Sequence, residues 1–259
     1  MPVYKTEAIV LRQQALGESD RIVTLFTREN GKVRAVAKGV RRTTSRLGGR
    51  IEPFTHARLM LARGRTLDVI AQADIVRAFG EVRKDLTRAA HAAYVMELVD
   101  RGLPERDRHE DVFVLAGDAL EKLDRCRAED SEVVTLWFGL RLAGLLGYQP
   151  ETAGCVECGR RLPRARGVTE SWAFSLPNGG ALCPTCRPHD PQAMSVSCGV
   201  LGACEYLTTA PEGQWDRLRI TPAQRAELAR LVQVHLEHRL EVRLRAPQVI
   251  RRLAEAPPA

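Results

Sequence analysis

The sequence predicts an α+β protein of more than one domain: a small N-terminal β-barrel, then a helical remainder broken by a cysteine-bearing segment. Three observations carry this. The first eighty residues alternate with period two between turn signals, the pattern becomes helical from residue 84, and residues 150–190 lose periodicity while gaining Gly, Pro and Cys.

In chain order, "EAIVLRQQ" is strand-like and ends at "ALGESD", where Gly17, Ser19 and Asp20 favour a turn. "RIVTLFT" ends at "RENGK", whose Asn30-Gly31 pair suits a hairpin turn. "KVRAVAKGV" alternates basic Lys32, Arg34 and Lys38 with apolar residues, and "FTHARLMLA" and "TLDVIAQADIV" flank the turn "RGR". Five strands in about 80 residues suit a closed barrel. The OB-fold is the commonest such barrel, and an SH3-like barrel fits the periodicity as well. Tyr4, Phe26 and Phe54 are the aromatics of residues 1–78, and most of them are expected in the barrel core.

A helix is predicted through Ala89–Val99, ending near Gly102-Leu103-Pro104, and a second through "DVFVLAGDALEKL". "SEVVTLWFGLRLAGLLG" gives a third, with Ser131 as N-cap and Gly147 as stop. Helical pattern resumes at about 192–209 and again after Thr221-Pro222, an N-cap and first-turn proline pair. The domain divisions are 1–80 for the barrel, 81–150 and 191–252 for the two helical parts, 151–190 for the cysteine segment, and 253–259 for a tail.

Charge is unevenly spread. Residues 1–80 hold 15 Lys/Arg against 7 Asp/Glu, whereas the rest holds 24 against 25. A like-signed field over one domain concentrates a polyanion, with nucleic acid ahead of an anionic membrane because no amphipathic helix lies there. The densest stretch is "KGVRRTTSRLGGRIEPF", with Lys38, Arg41, Arg42, Arg46 and Arg50 and no acidic residue from Asn30 through Ile51. The N-terminus lacks a signal-peptide pattern and no apolar run approaches a bilayer span, so the expected location is cytoplasmic. Seven cysteines fit a reducing compartment.

"CVECG" and "CPTC" place Cys155, Cys158, Cys183 and Cys186 as two C-x2-C pairs. Facing each other, two such pairs complete a tetrahedral thiolate site, read here as one structural Zn2+, against the alternatives of free or redox-active thiols and of His189 as a substitute ligand. Cys126, Cys198 and Cys204 are expected as small buried apolar residues. His235 and His238 are expected on an ordinary helix surface.

Catalytic motifs fail. Gly31-Lys32 is followed by Val33 and lacks the upstream glycine of a phosphate loop. The His235-Leu236-Glu237 triplet follows "CPTC" rather than preceding it, as a zinc deaminase requires. Glu18 and Asp20 are expected as solvated turn residues, and no enzyme is predicted.

"ALGESDRIVTLFTRENGKVRAVAKGVRRTTSRLGGRIEPF" resembles the N-terminal barrel of the RecO family of bacterial recombination mediators, and "FGLRLAGLLGYQPETAGCVECG" resembles the helix leading into that family's zinc-binding module. The order of motifs covers nearly the whole chain. The resemblance implies an N-terminal OB-fold β-barrel and a C-terminal all-α domain with an inserted four-cysteine zinc ribbon. It also implies DNA repair through the RecF pathway: binding of single- and double-stranded DNA, strand annealing, and work with RecR to load RecA on DNA coated by single-strand-binding protein, in nucleoid-associated form and with RecF involved indirectly. On this reading Lys38, Arg41, Arg42, Arg46 and Arg50 contact phosphates, with Arg34 and Arg12 as neighbours, and the run Arg160, Arg161, Arg164 and Arg166 is the next place to look. With few aromatics to spare, the barrel is expected to grip backbone rather than stack bases. The resemblance places a pocket for the acidic, apolar C-terminal tail of single-strand-binding protein in the helical domain, with Arg141 as charge partner and Leu140, Leu145 and Leu146 as apolar surface. A zinc-ribbon/OB adaptor for RNA binding or transcription is the alternative from another class.

Overall fold

The computed structural model describes residues 2–42, 45, 47–163, 172–211 and 213–255. Arg46, Arg164 and Arg166 lie outside the described residues. The chain divides into two compact units, Met1–Ser131 with Arg245–Ala259, and Glu132–Leu244.

In the first unit β1 (Val3–Leu16), β2 (Asp20–Thr27), β3 (Gly31–Ala37), β4 (His56–Ala62) and β5 (Asp68–Arg77) close into a barrel in the order β1-β2-β3-β5-β4. β1 pairs antiparallel with both β2 and β4, while β3 meets β5 in parallel through Ala35 and Asp68. This Greek-key order is OB-like, which removes the SH3-like alternative. The two-residue period sends Val23, Leu25, Val33, Ala35, Leu59 and Leu61 inward.

Of the three aromatics, only Tyr4 packs against the barrel's interior cluster. Phe26 is fully buried but outside the barrel interior, its ring 5.9 Å from Phe113. Tyr4 is half-buried, and its hydroxyl donates to Asp68 at 2.5 Å. Phe54 is likewise only partly buried. The interior is therefore aliphatic.

Three helices follow: α1 (Gly80–Lys84), α2 (Leu86–Gly102) and α3 (Glu110–Arg125). The Asp124 carboxylate accepts from the free N–H groups of Glu81 and Val82 at 2.8 and 3.1 Å, and Asp85 caps α2 by accepting from Arg88 N at 2.8 Å. Lys32 is not part of an exposed basic stripe. It is 8% exposed, and its ammonium donates to the carbonyls of Asp100 and, at 2.8 Å, Leu103, with the Asp100 carboxylate 3.5 Å away. The last carbonyls of a helix lack intrahelical donors and carry partial negative charge, so a cation is favoured there. Close approach also fixes Gly31: with φ +62°, any Cβ there would stand 1.8 Å from the Asp107 carbonyl oxygen.

The second unit contains α4 (Ser131–Leu145), apolar on all sides and mostly buried. Ser131 is its first residue, behind a 3-10 turn at Ala128–Asp130, rather than an N-cap. Next comes a three-stranded sheet of β6 (Trp172–Ser175), β7 (Gly180–Leu182) and β8 (Met194–Val196), in the order β7-β6-β8. Helix does not resume at 192: β8 pairs with β6 first, and α5 (Cys198–Thr209) starts behind the Ser197 cap. α6 (Pro222–Arg239) opens on the predicted Thr221 cap, completed reciprocally by Gln224. His235 is a core residue, not a surface one. It is 1% exposed, its Nε2 lies 2.7 Å from the Tyr148 carbonyl, and Phe174 meets it edge-on at 5.5 Å. His238 is exposed.

The chain then returns to the first unit as α7 (Ala246–Glu255), where the Glu97 carboxylate accepts from the backbone N–H groups of Arg245 and Ala246. No helix among the described residues is long and apolar enough to cross a membrane.

Two outcomes follow for stability. Lys32→Met should leave the final α2 carbonyls without their donor, and the Asp100 carboxylate with Arg12 alone, and cost about 3 kcal/mol in urea unfolding; unchanged stability would refute the cap. His91 on α2 is 4% exposed, and burial pushes its imidazole down to about 4. Between pH 6.5 and 4 the unfolded chain takes up this proton and the folded chain does not, so stability should fall by on the order of 3 kcal/mol over that window. His91→Leu should flatten that slope.

Candidate nucleic-acid face and metal centre

The segment joining β3 to β4 is clamped at both ends by apolar anchors. Val40 is 6% and Ile51 0% exposed, both within the barrel's interior cluster, and Leu47 packs against it. Its start is tied to the β1–β2 turn: Gly39 N donates to the Asp20 carboxylate at 2.8 Å, and Arg41 N to the Ser19 carbonyl at 3.0 Å. The Gly39 N–H, then Ser19, then the nearby Lys38 and Arg42 charges hold the Asp20 carboxyl below its usual range. Asp20, read from sequence as a solvated turn residue, is thus the loop's anchor.

Lys38, just before the first clamp, and Arg41 and Arg42, just after it, stand exposed, and no carboxylate ion-pairs with them among the described residues. Arg41 makes one long bond to the Gly17 carbonyl, at 3.2 Å. Arg50 is held instead: it donates to the Ala73 carbonyl at 3.0 Å and faces Asp74 at 3.5 Å. Pairing of Arg12 with Thr24 and of Thr24 with Arg34 sets Arg12 and Arg34 in one row across β1, β2 and β3. Arg34 is half-buried, and Arg12 pairs with Asp100 at 2.6 Å. The structure therefore brings seven sequence-singled cations to different states: three open, three engaged or part-covered, and Arg46 outside the described residues. Arg160 and Arg161 are exposed beside the first cysteine pair.

Arg141 on α4 is partly buried and its guanidinium donates to the Ala210 carbonyl. Leu140 belongs to the core at 1% exposure, whereas Leu145, one turn beyond Arg141, is 47% exposed.

In the second unit the Sγ atoms of Cys155, Cys158, Cys183 and Cys186 all lie within 4.8 Å of one another. Each pair sits on a tight turn. Gly159 N donates to the Cys155 carbonyl at 2.9 Å, and Cys186 N to the Cys183 carbonyl at 3.0 Å, so the two sulfurs of each turn face the same way. Burial pushes the Cys155 thiol up, but backbone N–H groups of Cys158, Cys183 and Glu157 outweigh it and lower it to about 6. Burial and the neighbouring cysteines raise Cys186 instead. A Cys155 that favours the thiolate next to a reluctant Cys186 thiol is what a divalent cation resolves, by drawing off the remaining proton. The four residues thus fit a closed thiolate site able to hold a metal ion. Glu157 and His189 pair with each other next to Cys186, a contact that the sequence suggested only through His189. Cys204 is fully buried, with its thiol pushed up to about 12 by burial, while Cys126 and Cys198 are only partly buried.

Residues 1–79 match the family described as "Recombination protein O N terminal", and residues 83–248 match "Recombination protein O C terminal". Three curated relatives, each named "DNA repair protein RecO", are similar along most of the chain. The protein from Symbiobacterium thermophilum is 35% identical over 259 residues, covering 99% of this chain and 100% of its own. That from Roseiflexus is 39% identical, covering 92% and 82%. That from Rubrobacter xylanophilus is 41% identical, covering 82% and 83%.

Elemental analysis of reduced protein is expected to return one transition-metal ion per chain, lost in Cys183→Ser together with the protection of β6–β8 amides from hydrogen exchange. Metal-free wild type with full amide protection would refute a metal-held sheet.

Proposed function

The chain belongs to the RecO family of DNA repair proteins, and from that premise we propose that it is a non-catalytic recombination mediator whose barrel binds the backbone of single- and double-stranded DNA. The observation that supports this most directly is the anchored loop: among the described residues Lys38, Arg41 and Arg42 form no ion pair, while both loop ends are fixed by buried side chains. Cations held in place at a barrel rim meet successive phosphates and release condensed counterions, giving affinity without sequence preference. Base edges then stay open for pairing, as strand annealing requires. Arg12, Arg34 and Arg50 contribute to the field from engaged positions.

The metal in this reading is zinc, structural because four thiolates leave no open coordination position. The mediator role further entails RecR as a partner, with RecF acting indirectly, and loading of RecA on DNA coated by single-strand-binding protein, in the cytoplasm at the nucleoid. For that protein's acidic, apolar tail, Arg141 and the exposed Leu145 lie four residues apart and so share one face of α4.

Replacing Lys38, Arg41 and Arg42 together by Ala should weaken single-strand and duplex binding alike. The log–log salt slope should flatten by about 0.7 per lost contact on single strands and about 0.9 on duplex, with sequence preference unchanged. Unaltered affinity and slope in a folded triple variant would sink the assignment.

A further inference from the structure

A cleft of about 1150 Å³ opens within the first unit, lined by the bulged part of β1, residues 52–54, α2 and the start of α7. Its apolar lining includes Leu11, Pro53, Phe54 and Met96, and Arg41 of the basic loop stands in its wall. Phe54 is the unusual member. Its φ is +72°, in the left-handed region where a glycine would sit without strain and a bulky aromatic is rare. The backbone is held there from both sides: Phe54 N donates to the Val10 carbonyl and Val10 N to the Thr55 carbonyl, each at 2.9 Å. The side chain is partly exposed and lies outside the barrel's interior cluster. Strain kept at a partly exposed aromatic that lines a cleft points to a ligand-holding position.

We propose that this cleft receives bases of a single DNA strand, with Phe54 as the stacking platform and Arg41 holding the phosphate where the strand leaves the basic loop; this rests on the loop being a DNA-backbone contact. The charge pattern favours a strand over an acidic peptide. The cleft wall carries four carboxylates, three of them already engaged: Asp100 with Arg12 and Lys32, Glu97 with Arg101 and the backbone of Arg245 and Ala246, and Glu52 with Arg21, while Glu105 is exposed. Neutral bases enter such a mixed interior while their phosphates stay at the basic rim, whereas acidic side chains would face those carboxylates directly. A duplex keeps its bases stacked on each other and cannot use the platform.

The test compares an oligothymidylate, an abasic strand of the same length and a duplex, by fluorescence anisotropy. Phe54→Gly removes the ring while relieving the left-handed strain, so the fold is retained, and Phe54→Trp restores a ring. Wild type and Phe54→Trp should prefer the base-bearing strand over the abasic one by about tenfold, and Phe54→Gly should lose that preference while keeping abasic and duplex affinity. Equal binding of base-bearing and abasic strands by wild type, or a preference that survives in Phe54→Gly, overturns the stacking site. So does an acidic peptide that displaces neither strand yet binds wild type and not Phe54→Gly. Failure of wild type to bind any of the three nucleic acids would overturn the backbone reading as well, which separates the two.

Discussion

The first unit depends on one buried ammonium. Lys32 leaves the outer face of β3 and ends among the final carbonyls of α2, with the Asp100 carboxylate beside it. A lysine in that position is costly unless every donor finds an acceptor, and a helix C-terminus supplies a cluster of them with no further ordering required. Fixing α2 against β3 has downstream effects. It brings Asp100 to Arg12, sets the Gly31 turn against Asp107, and lets Arg106 reach the buried Asp68 that also accepts from Tyr4. Barrel and first helices are consequently one body, and the cleft between them has walls of defined position.

The same logic explains how a stretch so rich in positive charge keeps a shape. Mutual repulsion would spread Lys38, Arg41 and Arg42 unless their backbone were held by something other than charge. Val40 and Ile51 supply apolar anchorage at either end, and Asp20 gives its carboxylate to a backbone N–H rather than to a guanidinium. The cations are therefore positioned without being neutralised.

Much of this is legible in the sequence. Strand alternation and the turn signals at Gly17 and Gly31 locate the barrel strands, because one face of each strand must be apolar to fill the interior. The Thr221-Pro222 pair locates α6, and the cysteine spacing locates the metal centre. What stays hidden depends on tertiary partners. Lys32 and Lys38 read alike in sequence, yet one is buried on helix carbonyls and the other is open, because only the docking of α2 separates them. His235 reads as a surface residue since its carbonyl partner, Tyr148, lies 87 positions away. β8 escapes detection because three residues carry too little periodicity to register. Hydrophobicity alone assigns Phe54 to the core, and hydrophobicity says nothing about a backbone angle.

The Glu97 carboxylate receives the N–H groups of Arg245 and Ala246 from 148 and 149 positions further along the chain. During synthesis the ribosome releases the barrel and α2 long before it releases α7. The nascent chain therefore carries a gap on α2 until α7 is made, and that wall of the cleft follows the whole second unit. Barrel strands close over short separations and can form early, whereas this closure is among the longest in the fold and waits for the second unit to be translated. Ribosome pausing anywhere in the second unit would hold the protein with its barrel built and the α2 surface beneath α7 bare, a period when chaperone access to that surface matters most.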